Sequence, residues 1–341
     1  MLKKTLIWLI KAFVAGLLAL SVVSSISFFY YNLPTHSTNK TGATDYFLFK
    51  NHVSFGATEG FASTKTDENG FVNTFPEKKD QIDVLIMGSS HTESLNVNAD
   101  ENFTYLLNKK FKENGQDRFA YSIGVSGHDF IRCLKNFDNA VKTYSPKEYI
   151  VIETSVIEFS EESLAKLESG TYGNLESYDS GLVYYLQKID FFRLAYAQIT
   201  NFIEKDQKNN NNKKKDSDKV SDTAEEDLTE YERLIEAAIG KISKTAEENG
   251  CRIIIIYTPQ TDVDYYGNII KKEYNSKQKA FINICKKYNV ACIDMLPSYV
   301  TMYEEIRYLP QGFANIAIGK GHTNKYGHSC IAEELYKTVT E

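Results

Sequence analysis

Ser90 stands in Gly88-Ser89-Ser90-His91, directly after the apolar run Val84-Leu85-Ile86-Met87. A strand that ends in Gly-Ser-Ser and turns into a helix exposes a hydroxyl at the C-terminal edge of a sheet, where open α/β folds bind ligands. Near the other end of the chain, Gly321-His322-Thr323-Asn324 and Gly327-His328 precede the last amphipathic stretch. Serine alone is a weak nucleophile and needs a base within hydrogen-bond reach. His322 is the best base in the sequence, because the loop that carries it runs to the last helix from the same sheet edge. Acyl transfer also needs donors aimed at the developing oxyanion. The backbone N–H of Gly127, at a strand-to-helix turn, and that of Ser90 fill that role. Each residue alone has an ordinary reading: Ser90 as a helix N-cap, His322 as a surface histidine, Gly127 as a turn glycine.

The elements that must position these groups follow from periodicity. Short apolar runs at 84–87, 119–123, 149–152, 253–257 and 290–293 read as buried strands. Between them lie helical patterns. One covers 103–111. One carries Phe130, Leu134, Phe137 and Val141 and ends at Ser145-Pro146. One carries Leu228, Tyr231, Ile235, Ile239 and Ile242 and stops at Asn249-Gly250. Another covers 277–288, and the last carries Ile331, Leu335 and Val339. Strands alternating with helices predict a five-stranded parallel sheet covered on both faces. Residues 32–80 form a polar, turn-rich lead-in, in which Asp67-Glu68-Asn69-Gly70-Phe71 signals a hairpin. The main domain is predicted over 81–341, with an insertion at about 157–250. Within the insertion, 184–203 reads as helical, and the charged, low-complexity stretch 204–226 reads as disordered.

Residues 1–31 stand apart. Lys3, Lys4 and Lys11 precede a nearly uncharged stretch closed by Phe28, Phe29, Tyr30 and Tyr31. Its length suits a membrane-spanning helix, and the lysines place the body of the protein outside the cytoplasm. The competing reading is a cleaved signal peptide, with the small residues of Ser21–Ser27 near the cut. The five cysteines make no close CxxC pair and read as free thiols rather than a disulfide framework or a metal cluster. A net charge of −6 argues against a nucleic-acid surface.

The order of these blocks resembles the SGNH (GDSL-type) hydrolases. Gly88-Ser89-Ser90 is similar to that family's nucleophile block, with Ser89 in place of the aspartate. Ser122-Ile123-Gly124-Val125-Ser126-Gly127 is similar to the oxyanion-glycine block, and His322 with Asn324 and Gly327 to the last block. The resemblance implies an SGNH-like (flavodoxin-like) three-layer sandwich around a central parallel five-stranded sheet, with Ser90 as nucleophile, His322 as base and Gly127 as donor. Two departures stand out. The family's oxyanion asparagine is missing where Glu153-Thr154-Ser155 falls, so a hydroxyl of Ser155 or Thr154 would replace it. Gly319 stands where the histidine-orienting aspartate belongs. Glu153, at the end of a central strand, is the expected substitute orienter or a substrate contact, with pairing to a loop cation as its plain alternative. His91 and His128 follow the first two strand ends and are expected to line the same cleft. Asp294 is expected to cap a helix or loop. No metal or cofactor is expected.

An anchored, outward-facing domain of this kind resembles the acyltransferase or esterase partners of membrane-bound O-acyltransferases, including the alginate-acetylation proteins and the D-alanyl transfer protein of teichoic acids. That implies transfer or removal of a small acyl group on a cell-envelope polysaccharide, alongside a multi-spanning membrane O-acyltransferase. Two rival readings remain: a degenerate scaffold that binds glycan or a partner without catalysis, and a different doubly wound fold whose Gly-Ser-Ser holds a phosphate.

Overall fold

Five apolar runs in this chain are uninterrupted by polar residues, and the architecture explains why. The computed structural model describes residues 2–30, 36–56, 59–77, 80–172, 181–186, 188–196, 198–199, 228–270 and 273–341. Its central sheet contains β5 (Val84–Met87), β6 (Ala120–Ser122), β7 (Tyr149–Thr154), β8 (Arg252–Tyr257) and β9 (Ala291–Asp294), all parallel, in the order β6-β5-β7-β8-β9. Alternate residues of each strand enter different cores. Leu85, Met87, Ile150, Ile152, Ile253 and Ile255 pack with the helices Phe130–Tyr144, Glu161–Glu168, Leu228–Glu248 and Ser276–Lys287. Val84, Ile86, Tyr149, Val151, Ile254 and Ile256 pack with the helices Phe103–Glu113, Leu296–Ile306 and Lys325–Thr340. Side chains alternate between the faces of a strand, so a sheet covered on both faces needs apolar residues at every position. The fold is thus a three-layer α/β sandwich with the flavodoxin-like strand order. That order reverses between β5 and β7, the switch point at which such sheets open a crevice.

The predicted strands and main helices agree with these bounds to within a few residues. Two elements near the C-terminus were not foreseen. The helix Leu296–Ile306 starts at Met295 without a side-chain cap, and Asp294 accepts the Leu296 amide at 3.0 Å. The antiparallel hairpin of β10 (Gln311–Phe313) and β11 (Ala317–Thr323) stands outside the central sheet. Its strand β11 has a mixed, largely exposed burial pattern that gives no apolar run to read.

The lead-in folds as two hairpins, β1 (His36–Thr38) with β2 (Tyr46–Leu48), and β3 (Val53–Gly56) with β4 (Ala62–Lys65). The Asn69-Gly70 turn belongs to neither. It follows β4 and is closed by the Asp67 carboxylate, which accepts the Asn69 and Phe71 amides at 2.8 and 3.1 Å. The lead-in also blunts the edge strand: the Asn73 side chain exchanges two hydrogen bonds with the backbone of Ser122, as Asn108 does with Ala120. Unpaired edge groups are an aggregation liability, and these amides remove it.

The helix Leu2–Tyr30 is long and apolar enough to cross a membrane, with a mean hydropathy of 2.4 over its most apolar window and none of that window buried. Its Phe28 ring meets Phe55 of β3 edge-on at 5.3 Å. The helix expected over 184–203 is described only in part, at Gly181–Leu186 and 190–196. The stretch 204–226, expected to be disordered, lies outside the described residues. All five cysteines are free; Cys292 and Cys330 are only half-buried.

Candidate active site

Gly88 makes the turn that presents Ser90. A Cβ at that position would come within 2.1 Å of Thr92 Oγ1, so only glycine lets the chain fold back so tightly. Ser89 then caps the four-residue helix Ser90–Glu93, and Ser90 is its first residue. The nucleophile corner is therefore written in six consecutive residues at the switch point.

His322 arrives from β11. Its Nε2 lies 2.8 Å from Ser90 Oγ. Its Nδ1 lies 2.6 Å from Oε2 of Glu59, and its backbone N–H donates to Glu59 Oε1 at 2.8 Å. Glu59 was not among the sequence candidates. It sits at the tip of the β3–β4 hairpin, where Asn96 Nδ2 donates to its carbonyl at 3.1 Å and the Gly60 amide donates to Asn315 Oδ1 at 2.9 Å. Burial alone would push the Glu59 carboxyl up, but the hydrogen bonds from the His322 ring and amide outweigh it and hold it below the ordinary glutamate value. An ionised carboxylate only accepts. Nδ1 must then carry the proton, which leaves the Nε2 lone pair facing the Ser90 hydroxyl, the tautomer a general base requires.

Gly321 makes this pairing sterically feasible. Its φ is +94°, and a Cβ there would lie 2.3 Å from Glu59 Oε1. The backbone conformation and the close approach both demand glycine. Asn324 anchors the other side, accepting the Tyr326 and Gly327 amides as the cap of the last helix and donating to the Leu309 and Gly312 carbonyls.

The remaining candidates take different places. Glu153, expected as an orienter or substrate contact, does not reach His322. It is 1% exposed, beneath the Gly88 turn, accepting from Thr92 at 3.0 Å, Thr258 at 2.5 Å and Ser89 at 3.4 Å. Among the described residues no loop cation pairs with it; three hydroxyls do that work. Thr154 commits its hydroxyl to the following turn, donating to the Val156 carbonyl at 2.7 Å and accepting the Val156 amide. Ser155 is exposed on the cleft wall.

His91 lies beside the triad, its ring 5.5 Å from that of His322 and its Nδ1 2.6 Å from Thr323 Oγ1. Burial pushes its pKa below the ordinary histidine value, against the pull of Glu153. His128 is buried, with Nε2 3.3 Å from the Asp45 amide and 3.5 Å from the Asp45 carboxylate. Asp45 also binds Arg132 and Lys135, which pins the lead-in to the helix Phe130–Tyr144.

Gly127 has a φ of +78° and open space where a Cβ would stand. Neither its amide nor that of Ser90 has an acceptor among the described residues. Ser90, His91, Gly127, His128, Glu153, Thr154 and Ser155 line one open cleft of about 390 Å³. Its far wall is Phe159 with the start of the helix Glu161–Glu168. An alcohol and two amides on residues that line this cleft, with an imidazole hydrogen-bonded to the alcohol and held at Nδ1 by a carboxylate, are the groups acyl transfer uses.

No family model matches the chain, and no curated protein matches it. Among solved structures it is similar to the psychrotrophic esterase EstA from Pseudoalteromonas sp. at 12% identity, over 75% of this chain and 96% of that one, with a TM-score of 0.38. It is similar to the acetyl xylan esterase AlAXEase at 13% identity, over 75% and 99%, with a TM-score of 0.40. It is also similar to a GDSL-like lipase from Parabacteroides merdae at 12% identity, over 79% and 99%, with a TM-score of 0.40.

Proposed function

We propose that this chain is a membrane-tethered, outward-facing serine acyltransferase or esterase acting on a cell-envelope polysaccharide. The observation that carries the reading is the unbroken hydrogen-bond chain from Ser90 through His322 to Glu59 at the switch point of the sheet. Ser90 Oγ attacks the acyl carbon and its proton passes to His322 Nε2. The amides of Ser90 and Gly127 hold the tetrahedral oxyanion. His322 then gives the proton to the leaving oxygen as the ester C–O bond breaks, which leaves an acyl-serine. Water or a sugar hydroxyl resolves it, losing its proton to His322. Glu59 keeps the imidazole in its working tautomer and stabilises the imidazolium. The scaffold alternative rested partly on a missing carboxylate, and Glu59 supplies one. The exposed apolar helix supports tethering, with Lys3, Lys4 and Lys11 on the cytoplasmic side. Tethering suits an acyl donor delivered by a multi-spanning membrane O-acyltransferase.

The cleft's charge bears on the substrate. Asp129, Glu158 and the buried Glu153 stand in its lining, which among the described residues contains no lysine or arginine. A cleft of one sign concentrates ligands of the other and disfavours its own. That favours acyl groups on neutral or amino-bearing sugars over those on polyuronates. Aryl esters matched in size but carrying a trimethylammonium, no charge or a carboxylate should rank in that order by kcat/KM, with about tenfold between the ends at low salt. A carboxylate ester that is cleaved fastest contradicts the charge reading.

A fluorophosphonate probe and a simple aryl acetate test the mechanism itself. The full chain in detergent should be labelled at Ser90 and release acetate, and Ser90→Ala should abolish both. Acetate release that survives in Ser90→Ala sinks the proposal. Adding an oligosaccharide acceptor then separates transferase from hydrolase.

A further inference from the structure

The helix that Ser90 begins ends in a buried glutamate that the proposed reaction does not use. That residue, Glu93, is 2% exposed. Its Oε2 accepts the Ser126 hydroxyl, while its Oε1 is buried with no hydrogen-bond partner among the described residues. Ser126 is held from its other end as well, since its carbonyl accepts the Tyr46 hydroxyl. The segment that carries Ser126 is laid directly on Thr92 and Glu93: a Cβ at Gly124 would come within 2.5 Å of the Glu93 amide nitrogen. The residue after Ser126 is Gly127, which lines the cleft and whose amide has no acceptor among the described residues.

We propose that Glu93 is a positioning residue that holds, through Ser126, the Gly127 amide in register with the Ser90 amide, and so sets the oxyanion geometry of the site. The inference rests on the serine acyl-transfer reading and deepens it. One four-residue helix then does two things: its first residue supplies the nucleophile and one donor, and its last residue fixes the loop bearing the other donor. Burying a carboxyl with one oxygen unpartnered costs stability, and its other oxygen is spent on Ser126, in the loop that leads to Gly127. Burial pushes the Glu93 carboxyl up to about 7, against the Ser126 hydrogen bonds and the His322 charge. The groups around it are Ser126 from the loop, His322 from β11 with Glu59 behind it, and His91 on its own helix, with Glu153 below Thr92.

The test compares Glu93→Ala, Glu93→Gln, Ser126→Ala and the Glu93→Ala/Ser126→Ala double variant in the full chain, using an aryl acetate, a fluorophosphonate and an alkyl boronate. Glu93→Ala should lower kcat tenfold or more with KM within about twofold. Boronate affinity should fall by the same factor as kcat, because the boronate occupies the oxyanion site. Glu93→Gln, whose amide oxygen accepts the Ser126 hydroxyl, should recover most of the loss. Ser126→Ala, the milder change to the fold, should lower kcat and boronate affinity in parallel with Glu93→Ala, and the double variant should be no worse than either. An unchanged kcat in Ser126→Ala and Glu93→Ala, a loss carried by KM alone, or additive losses in the double variant would overturn the proposal. Failure of the underlying reading has a separate signature, a wild-type chain that neither labels at Ser90 nor cleaves the acetate.

Discussion

The two corners of the proposed site, that of the Ser90 nucleophile and that of the His322 base, are built in opposite ways. The nucleophile corner is local: β5, Gly88, Ser89 and Ser90 are consecutive, and the sheet core holds them. The base corner is assembled from afar. His322 comes from one small hairpin and Glu59 from another, neither part of the central sheet, and 263 residues separate them. A site divided in this way has a hydroxyl that the core places rigidly and an imidazole whose orientation depends on two surface hairpins staying docked. Damage to the first corner should remove chemistry outright. Damage to the second should leave a competent serine with a badly held base.

Glu59→Gln makes the sharpest break between the corners. The amide is nearly isosteric but can donate to Nδ1, which favours the wrong imidazole tautomer. By analogy with serine proteases, kcat should fall by about 10⁴, while fluorophosphonate labelling of Ser90 slows without disappearing. Glu59→Asp keeps the charge and should fall between. If Glu59→Gln retains full turnover, the hairpin carboxylate is structural and the base corner is simpler than drawn.

The same division explains what the sequence disclosed. Ser90 was legible because an apolar run, a glycine and a small polar pair are contiguous signals of a strand-to-helix turn. The five strands were legible because both faces of the sheet are covered, so each strand is an unbroken apolar run. His322 was visible as a residue, but its hairpin was not, since the buried positions of β11 are Gly319 and Thr323 and give no apolar stripe. Glu59 carried no readable signal. Its role is set by a contact across most of the chain, and the spacing that would reveal it exists only after folding. Glu153 carries the right signal, a carboxylate at the end of a central strand, but its oxygens are taken by the hydroxyls of Ser89, Thr92 and Thr258.

Gly321→Ala sharpens the comparison from the other partner of the pair. The added methyl meets Glu59 in a backbone conformation that alanine adopts poorly. The carboxylate must retreat from Nδ1, so kcat should fall by 10- to 100-fold with KM little changed, at a cost of about 1–3 kcal/mol in stability. The equivalent change at Gly250, whose φ is also positive but which has open space around it, should cost stability only. A Gly321→Ala enzyme as active as the wild type would mean that the hairpin tip can move without disturbing the base.

Glu59 and Glu93 set the smallest and most specific test, because their environments push them in opposite directions. His322 holds Glu59 below its ordinary value, so its contribution to stability is present above that value and is lost as the pH falls through the lowered one. Burial raises Glu93 from 4.5 to about 7. In the window between those two values the folded chain binds a proton that the unfolded chain has released, so stability falls as the pH rises through it, by up to about 3 kcal/mol. Glu93→Gln has no proton to lose. Denaturant melts of the wild type and Glu93→Gln at pH 5 and pH 8 should therefore converge in the acid and separate in the base, with the variant the more stable at pH 8. Glu59→Gln should do the reverse, losing stability relative to the wild type at pH 8 and regaining parity only in strong acid. Parallel pH profiles for all three proteins would mean that neither the His322 hydrogen bonds at Glu59 nor the burial of Glu93 acts as the structure implies. Opposite slopes would separate the carboxylate that works through His322 from the one that braces the loop beside it.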